Sequence, residues 1–264
     1  VLKRWAHEIE MLKVSSKGLP IDLVTEADRE SERLIATGIA ERFPQDGILG
    51  EEGATRATES GFRWVIDPLD GTTNFVHGLP HYMVSIGLEY LGQTVGAALY
   101  GPALDECFYA IRGGGAYYGE QPIAVSATTE LSGALLATGF PYNRRVVVSE
   151  ILPQVQRALQ LSRGLRRCGS AAYDLCNVAR GYLDGYFEQG LKPWDTVAGA
   201  LMVEEAGGTL THYDGSDYEN FTGFQSEAVT PTIVAANPIL HPNLLRHVVQ
   251  PHRAAGAGGP DAAF

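Results

Sequence analysis

The segment WVIDPLDGTTNF at 64–75 carries the densest chemical signal in the chain. Asp67 and Asp70 stand on either side of a turn in which Pro68 fixes φ and Gly71 permits a tight bend. Both carboxylates can therefore converge, with the backbone carbonyl of Leu69 between them. Thr72 then opens a short helix or turn, which leaves the amides of Gly71, Thr72 and Thr73 free to bind an anion. Carboxylates beside free amides suit a phosphate bridged through a cation. Further acids stand elsewhere: Glu51 and Glu52 in LGEEG, Asp195 in KPWDTVAGALMVEEAGG at the start of a helix, and Asp28 in DLVTEADRE in the first turn of another. Each has a plainer reading. Asp28 could complete a capping box with Thr25, Asp195 could be an N-cap, the paired glutamates could be a solvated loop, and DPLDGT could be a helix-capping turn.

The elements that position these residues follow from apolar spacing and turn chemistry. Leu2, Trp5, Ile9 and Leu12 predict an amphipathic N-terminal helix. A second helix is predicted over 25–42, with Thr25 as N-cap, a stripe of Leu34, Ile35 and Ile39, and Phe43-Pro44 as its stop. A buried strand at 64–66 delivers Asp67 at its C-terminal end, where functional groups of α/β sheets collect. Strands at 84–90, 94–100, 106–111 and 115–118 read as an antiparallel meander. Beyond them, 148–163, 173–179 and 196–206 read as helices, and 185–188, 209–212 and 232–235 as strands. The pattern implies a mixed α/β architecture in two sub-domains, 1–145 and 146–250, meeting near 141–145. The Ala- and Gly-rich segment 251–264 reads as a flexible tail.

Composition narrows the function classes. With 264 residues there is ample chain for a packed core, and 45% apolar residues exclude a disordered polymer. The net charge of −11 argues against general binding to nucleic acid or anionic membranes. No stretch reaches the roughly 18 apolar residues of a membrane span. The chain opens on Val1, which leaves room for residues upstream, and this opening is not signal-like. Cys107, Cys168 and Cys176 form no C-x-x-C and read as thiols of a reducing, cytoplasmic compartment. GYFEQGLK at 185–192 lacks the lysine of a phosphate loop, G-x-S-x-G and H-E-x-x-H are absent, and His77 beside the acidic turn reads as structural.

GEEG at 50–53, WVIDPLDGTTNF at 64–75 and WDTVAGALMVEEAGG at 194–208, with DLVTEAD at 22–28, resemble the signatures of the inositol monophosphatase family. The similarity extends over roughly residues 1–250. It implies a fructose-1,6-bisphosphatase-like αβαβα layered sandwich and a Mg2+-dependent, lithium-sensitive phosphomonoesterase that works as a homodimer. By matching positions, Glu51, Asp67 and the Leu69 carbonyl would hold one metal, and Asp67, Asp70 and Asp195 a second. A weaker third ion would lie near Glu51, so most metal ligands fall within 1–145. Glu52 matches a supporting acid and Lys17 a lysine near the metals. Asp28 and Thr72 match the pair that orients the attacking water. Gly169, Ser170 and Ala171 match a loop that contacts the substrate ring, and Glu188 an acid that accepts from ring hydroxyls. Arg144 or Arg145 could stand near the pocket.

The implied chemistry is consistent with the residue types. Clustered carboxylates raise one another's pKa unless cations are present. Mg2+ favours such an oxygen set, with Mn2+ as a possible substitute, whereas zinc would favour His or Cys. Ions about 3.5–4 Å apart would activate water and stabilise the leaving alkoxide, with the amides of 71–73 on the phosphoryl oxygens. The expected reaction is hydrolysis of a small phosphomonoester, with myo-inositol 1-phosphate first. Fructose 1,6-bisphosphate, adenosine 3′,5′-bisphosphate and histidinol phosphate are the alternatives. A haloacid-dehalogenase-type phosphatase is disfavoured, because its paired acids stand closer in sequence and one becomes phosphorylated. An inactive metal- or phosphometabolite-binding protein would lack a matched acid, and none is missing.

Overall fold

Along Met83–Tyr90 every second residue is buried, the mark of a strand covered unequally on its two faces. It lies at the centre of an eight-stranded sheet in a computed structural model that describes residues 1–17, 23–218 and 231–250. In chain order the sheet strands are β3 Gly47–Gly50, β4 Thr55–Arg56, β5 Phe62–Asp70, β6 Met83–Tyr90, β7 Gln93–Gly101, β8 Glu106–Ile111, β9 Gly115–Tyr118 and β10 Gln121–Pro122. From β5 to β10 the strands form the expected antiparallel meander. A hairpin of β1 Val14–Ser16 and β2 Leu23–Thr25 precedes the sheet. Between β3 and β5 the pairing is parallel, with Gly50 opposite Ile66. Glu51 and Asp67 therefore leave adjacent strands at the same C-terminal edge.

A second, five-stranded sheet has the order β12-β11-β13-β15-β14. Its strands are β11 Leu135–Thr138, β12 Gly164–Arg166, β13 Gly185–Gln189, β14 Thr209–Thr211 and β15 Thr232–Ala236. Helices α1 Leu2–His7 and α2 Glu26–Arg42 cover the outer face of the large sheet at β5. Helices α5 Ala171–Ala179 and α6 Pro193–Glu205 lie between the sheets, and α4 Arg144–Leu161 and α7 His241–Leu244 cover the small sheet. The short α3 Thr72–Val76 follows β5. Together these layers make the αβαβα sandwich that the resemblance implied.

The main core lies around α5, which is buried throughout, and the buried middle of α6, both clamped between two sheets. Gly199 permits their close approach, since a Cβ there would meet the Leu175 side chain at 2.7 Å. Gly87 does the same for sheet and helix, where a Cβ would fall 2.6 Å from Val197.

Several boundaries differ from the sequence expectation. Helix α4 begins at Arg144, because its first turn is tied back to the preceding loop (Arg144 N–H to Pro141 O, 3.0 Å). Helix α6 begins at Pro193, a residue suited to a first helical position. The N-terminal helix stops at His7 and passes into a 3-10 turn at Ile9–Met11. Residues 251–264 lie outside the described residues.

Replacing Gly199 with Val should lower the urea-unfolding free energy by about 1–3 kcal/mol through overpacking at the α5–α6 contact. Unchanged stability would mean that the two helices are not close-packed there.

Candidate active site

A crevice of about 650 Å³ opens where the edges of both sheets meet the N-terminal ends of α5 and α6. Its walls include Glu51, Asp67, Leu69, Asp70, Gly71, Thr72, Thr73, Gly169, Ser170, Ala171, Glu188 and Asp195. Asp28, like the supporting acid Glu52, is not part of this wall. It is fully buried directly behind Thr72, whose hydroxyl donates to Asp28 Oδ1 at 3.0 Å and approaches the Leu69 carbonyl at 3.2 Å.

Asp28 fills two roles at once. One oxygen closes a capping box with Thr25, accepting the Thr25 N–H at 2.9 Å, while the other holds Thr72. The capping box read from the sequence is present, and the same side chain also reaches Thr72 on the crevice wall. Asp195 is not an N-cap. It is the third residue of α6 and accepts the Lys192 N–H at 2.6 Å. A break in strand register between Asp67 and Asp70 turns both acids to the crevice. Asp67 is 2% exposed, and its Oδ1 accepts the Leu69 N–H at 2.9 Å. Asp70 Oδ2 accepts from Ser170 Oγ and from the Ala172 N–H, both at 2.7 Å. Carboxylate oxygens of Asp67, Asp70 and Asp195 lie within 4.8 Å of one another.

Like charges this close, in a buried crevice, favour the protonated form. Burial raises Asp67 well above its ordinary value, and the neighbouring carboxylates Glu51, Asp70 and Asp195 add to the effect. Burial also raises Asp195, with Glu51 and Asp70 next in effect. Asp70 is pushed from 3.8 to about 6 by burial, although its bonds to Ser170 and Ala172 act in the opposite direction. Glu51 is raised chiefly by burial, against the pull of the Lys17 ammonium at 2.7 Å. Lys17 also pairs with Glu52 at 2.5 Å. The donor set is entirely oxygen and carries excess negative charge, so it fits hard divalent cations. Glu51, Asp67, Asp70, Asp195 and the Leu69 carbonyl are the residues that would hold them.

Across the crevice, Glu188, the penultimate residue of β13, accepts from the Tyr186 hydroxyl and is pushed by burial to about 7. Gly139 gives it room, because a Cβ there would fall 1.9 Å from Glu188 Oε2. Ser170 serves two partners, since it caps α5 through the Tyr173 N–H and donates to Asp70. Its hydroxyl is thus directed at the acid, while Gly169 and Ala171 line the wall.

Some participants had no signal of their own in the sequence. Glu32 on α2 accepts the N–H groups of Glu52 and Ala54 at 2.7 and 2.8 Å, which fixes the GEEG turn. Gly50 is needed beside it, since a Cβ would fall 2.3 Å from Glu32 Oε2. Asp174, Arg167 and Lys192 also line the crevice with Arg144, whereas Arg145 does not. His77 ends α3 away from the wall. The histidine that approaches the site is His81, 3.3 Å from Asp174.

An αβαβα sandwich with convergent acids at the sheet edges and helix N-termini defines a phosphoric monoester hydrolase of the fructose-1,6-bisphosphatase fold. More narrowly, the chain belongs to the inositol monophosphatase family, whose description it matches over residues 1–253. It is 44% identical over 215 residues to an inositol-1-monophosphatase of Rhizobium meliloti (strain 1021), covering 81% of this chain and 80% of that protein. It is 41% identical over 230 residues to the Nus factor SuhB of Escherichia coli (strain K12), covering 87% of this chain and 83% of that one. The crystal structure of the extragenic suppressor protein suhB from Bartonella henselae superposes with a TM-score of 0.86 at 38% identity, over 94% of this chain and 92% of that one. No helix among the described residues is long and apolar enough to cross a membrane.

Acids whose folded pKa is raised hold their protons after the unfolded chain has lost them. Their stabilising contribution is full below the unfolded values of 3.8 for Asp70 and 4.5 for Glu188, and is lost as pH rises through about 6 and about 7. In EDTA, the urea-unfolding free energy should therefore decline between about pH 4 and pH 7. Saturating Mg2+ should reduce the decline. A flat or rising profile in EDTA would contradict the electrostatic reading.

Proposed function

We propose that this family phosphatase hydrolyses small hydroxylated phosphomonoesters with Mg2+ as cofactor, and that myo-inositol 1-phosphate is its leading substrate. The observation that carries the reading is the Asp28–Thr72 hydrogen bond standing directly beside the Asp67, Asp70 and Asp195 cluster. In this reading the Thr72 hydroxyl, held by Asp28, would orient the attacking water, and no protein nucleophile is required. When bound, Mg2+ supplies Lewis-acid polarisation of the phosphoryl group and lowers the pKa of water.

The chain's own residues do the rest. Buried Asp28 holds the Thr72 hydroxyl in position, so that this oxygen can accept from and orient a water molecule. The amides at 71–73, at the start of α3, face phosphoryl oxygens as they gain charge. Ser170 and the Ala172 amide keep Asp70 in one orientation. Glu188 would accept from substrate hydroxyls, with Gly169 and Ala171 beside the ring; their shared place on the crevice wall supports this.

Family membership supports inhibition by lithium, tolerance of Mn2+, a two- to three-ion centre and a cytoplasmic homodimer. A second reading, hydrolysis of a more anionic bisphosphate such as fructose 1,6-bisphosphate or adenosine 3′,5′-bisphosphate, is favoured by Arg144, Arg167 and Lys192 along the same crevice.

Phosphate release from these substrates, histidinol phosphate and β-glycerophosphate, at about 5 mM Mg2+ and with EDTA, tests the reading. Inositol 1-phosphate should rank first and EDTA should abolish turnover. A bisphosphate ranking first would favour the second reading, and EDTA-resistant turnover would overturn the metal requirement. Asp195→Asn should cut kcat/KM by at least about 100-fold while leaving the fold intact. Glu188→Gln should instead alter the substrate ranking more than the Mg2+ requirement.

A further inference from the structure

Beside the catalytic acids, a second group of unlike donors converges. A ring nitrogen of His81, the Sγ of Cys168 and a carboxylate oxygen of Asp174 all lie within 4.8 Å of one another. Imidazole, thiol and carboxylate form the mixed nitrogen, sulfur and oxygen set that borderline cations prefer over Mg2+. We propose that His81, Cys168 and Asp174 form a separate site for one borderline divalent cation of the Zn2+ type, next to the oxygen-only catalytic centre.

The geometry is close to that of a bound ion. His81 Nε2 and Asp174 Oδ1 are 3.3 Å apart. Ligands about 2.0–2.1 Å from a tetrahedral zinc are separated by about 3.3–3.4 Å. The Cys168 Sγ lies within 4.8 Å of a donor atom of each of these two residues. On binding, the thiol proton leaves to solvent and the thiolate becomes a ligand. Asp174 lines the crevice, which gives an ion a way in.

The donors are also held before any ion arrives. The Asn74 side-chain amide donates to the carbonyls of both His81 and Cys168, at 2.6 and 2.8 Å. One side chain thus ties together the two loops that carry the nitrogen and sulfur ligands. The His81 ring stacks on Tyr173 with centroids 4.3 Å apart and an interplanar angle of 21°. Asp174 sits in the first turn of α5 with its side chain 2% exposed. An exposed ion pair has none of these restraints.

The site adjoins the catalytic centre. Cys168 leads directly into Gly169 and Ser170, and Ser170 holds Asp70. Gly71 packs against the same segments, since a Cβ there would meet the His81 carbonyl at 3.0 Å and Ser170 at 3.3 Å.

Co2+ provides the probe. The full chain is saturated with Mg2+ so that the catalytic acids are occupied, and Co2+ is then added. Wild type should develop a thiolate-to-cobalt charge-transfer band in the near ultraviolet, with intense four-coordinate visible bands, saturating at one equivalent. Cys168→Ser should lose the charge-transfer band and bind Zn2+ at least about tenfold more weakly, with His81→Asn also weakened. Asp195→Asn should retain the band, because that residue belongs to the other centre. Absence of a thiolate band in wild type would overturn the proposal without reference to any variant. So would a band that persists in folded Cys168→Ser, since the thiolate would then come from another cysteine.

Discussion

Asp67 is 2% exposed and shares its surroundings with Asp70, Asp195 and Glu51. Mutual repulsion and lost hydration both work against ionising this group, and neither is relieved by ordinary side-chain pairing. The surrounding structure is a set of partial answers. Lys17 reaches over to Glu51 and Glu52. The Leu69, Ala172 and Lys192 amides each donate to one acid, and Ser170 adds a hydroxyl. The N-termini of α3, α5 and α6 turn their positive ends toward the same crevice. These donors orient the carboxylates without neutralising them. The remaining negative charge is the chemical reason for a cation requirement.

The layered fold makes this convergence possible because the acids come from distant parts of the chain. Glu51 and Asp67 leave neighbouring parallel strands at one edge of the large sheet. Asp195 and Ser170 stand at the starts of helices sandwiched between the sheets. Glu188 comes from the centre of the small sheet. Each group is held by a packed element, and the closest approaches are secured by glycine, as at Gly139 against Glu188 and Gly50 against Glu32. A site on such supports keeps its geometry through a reaction that depends on orientation.

Much of this was legible in the residues. Asp67, Asp70 and the turn between them were readable because a buried strand, a proline and a glycine leave few conformations. The meander was readable from its alternation and glycine turns, and Thr25–Asp28 from capping chemistry. The long-range pairings were not. That Asp28 also holds Thr72, or that Glu32 fixes the GEEG turn, depends on how α2 lies across β5 and β3. No local pattern encodes that placement. His77, read as structural, stays off the crevice wall, whereas His81, which no local pattern singled out, meets Asp174 at 3.3 Å. Helix starts at Arg144 and Pro193 were missed because loop hydrogen bonds and a first-position proline extend those helices past their apolar stripes.

The central claim is that these acids remain partly protonated until a cation displaces the protons. Proton release on Mg2+ binding measures this directly, by calorimetry at pH 6 in buffers of different ionisation enthalpy. The account predicts net proton release in wild type and a smaller release, with weaker Mg2+ binding, in Asp67→Asn. Mg2+ binding with no proton release, and with unchanged affinity in Asp67→Asn, would contradict it.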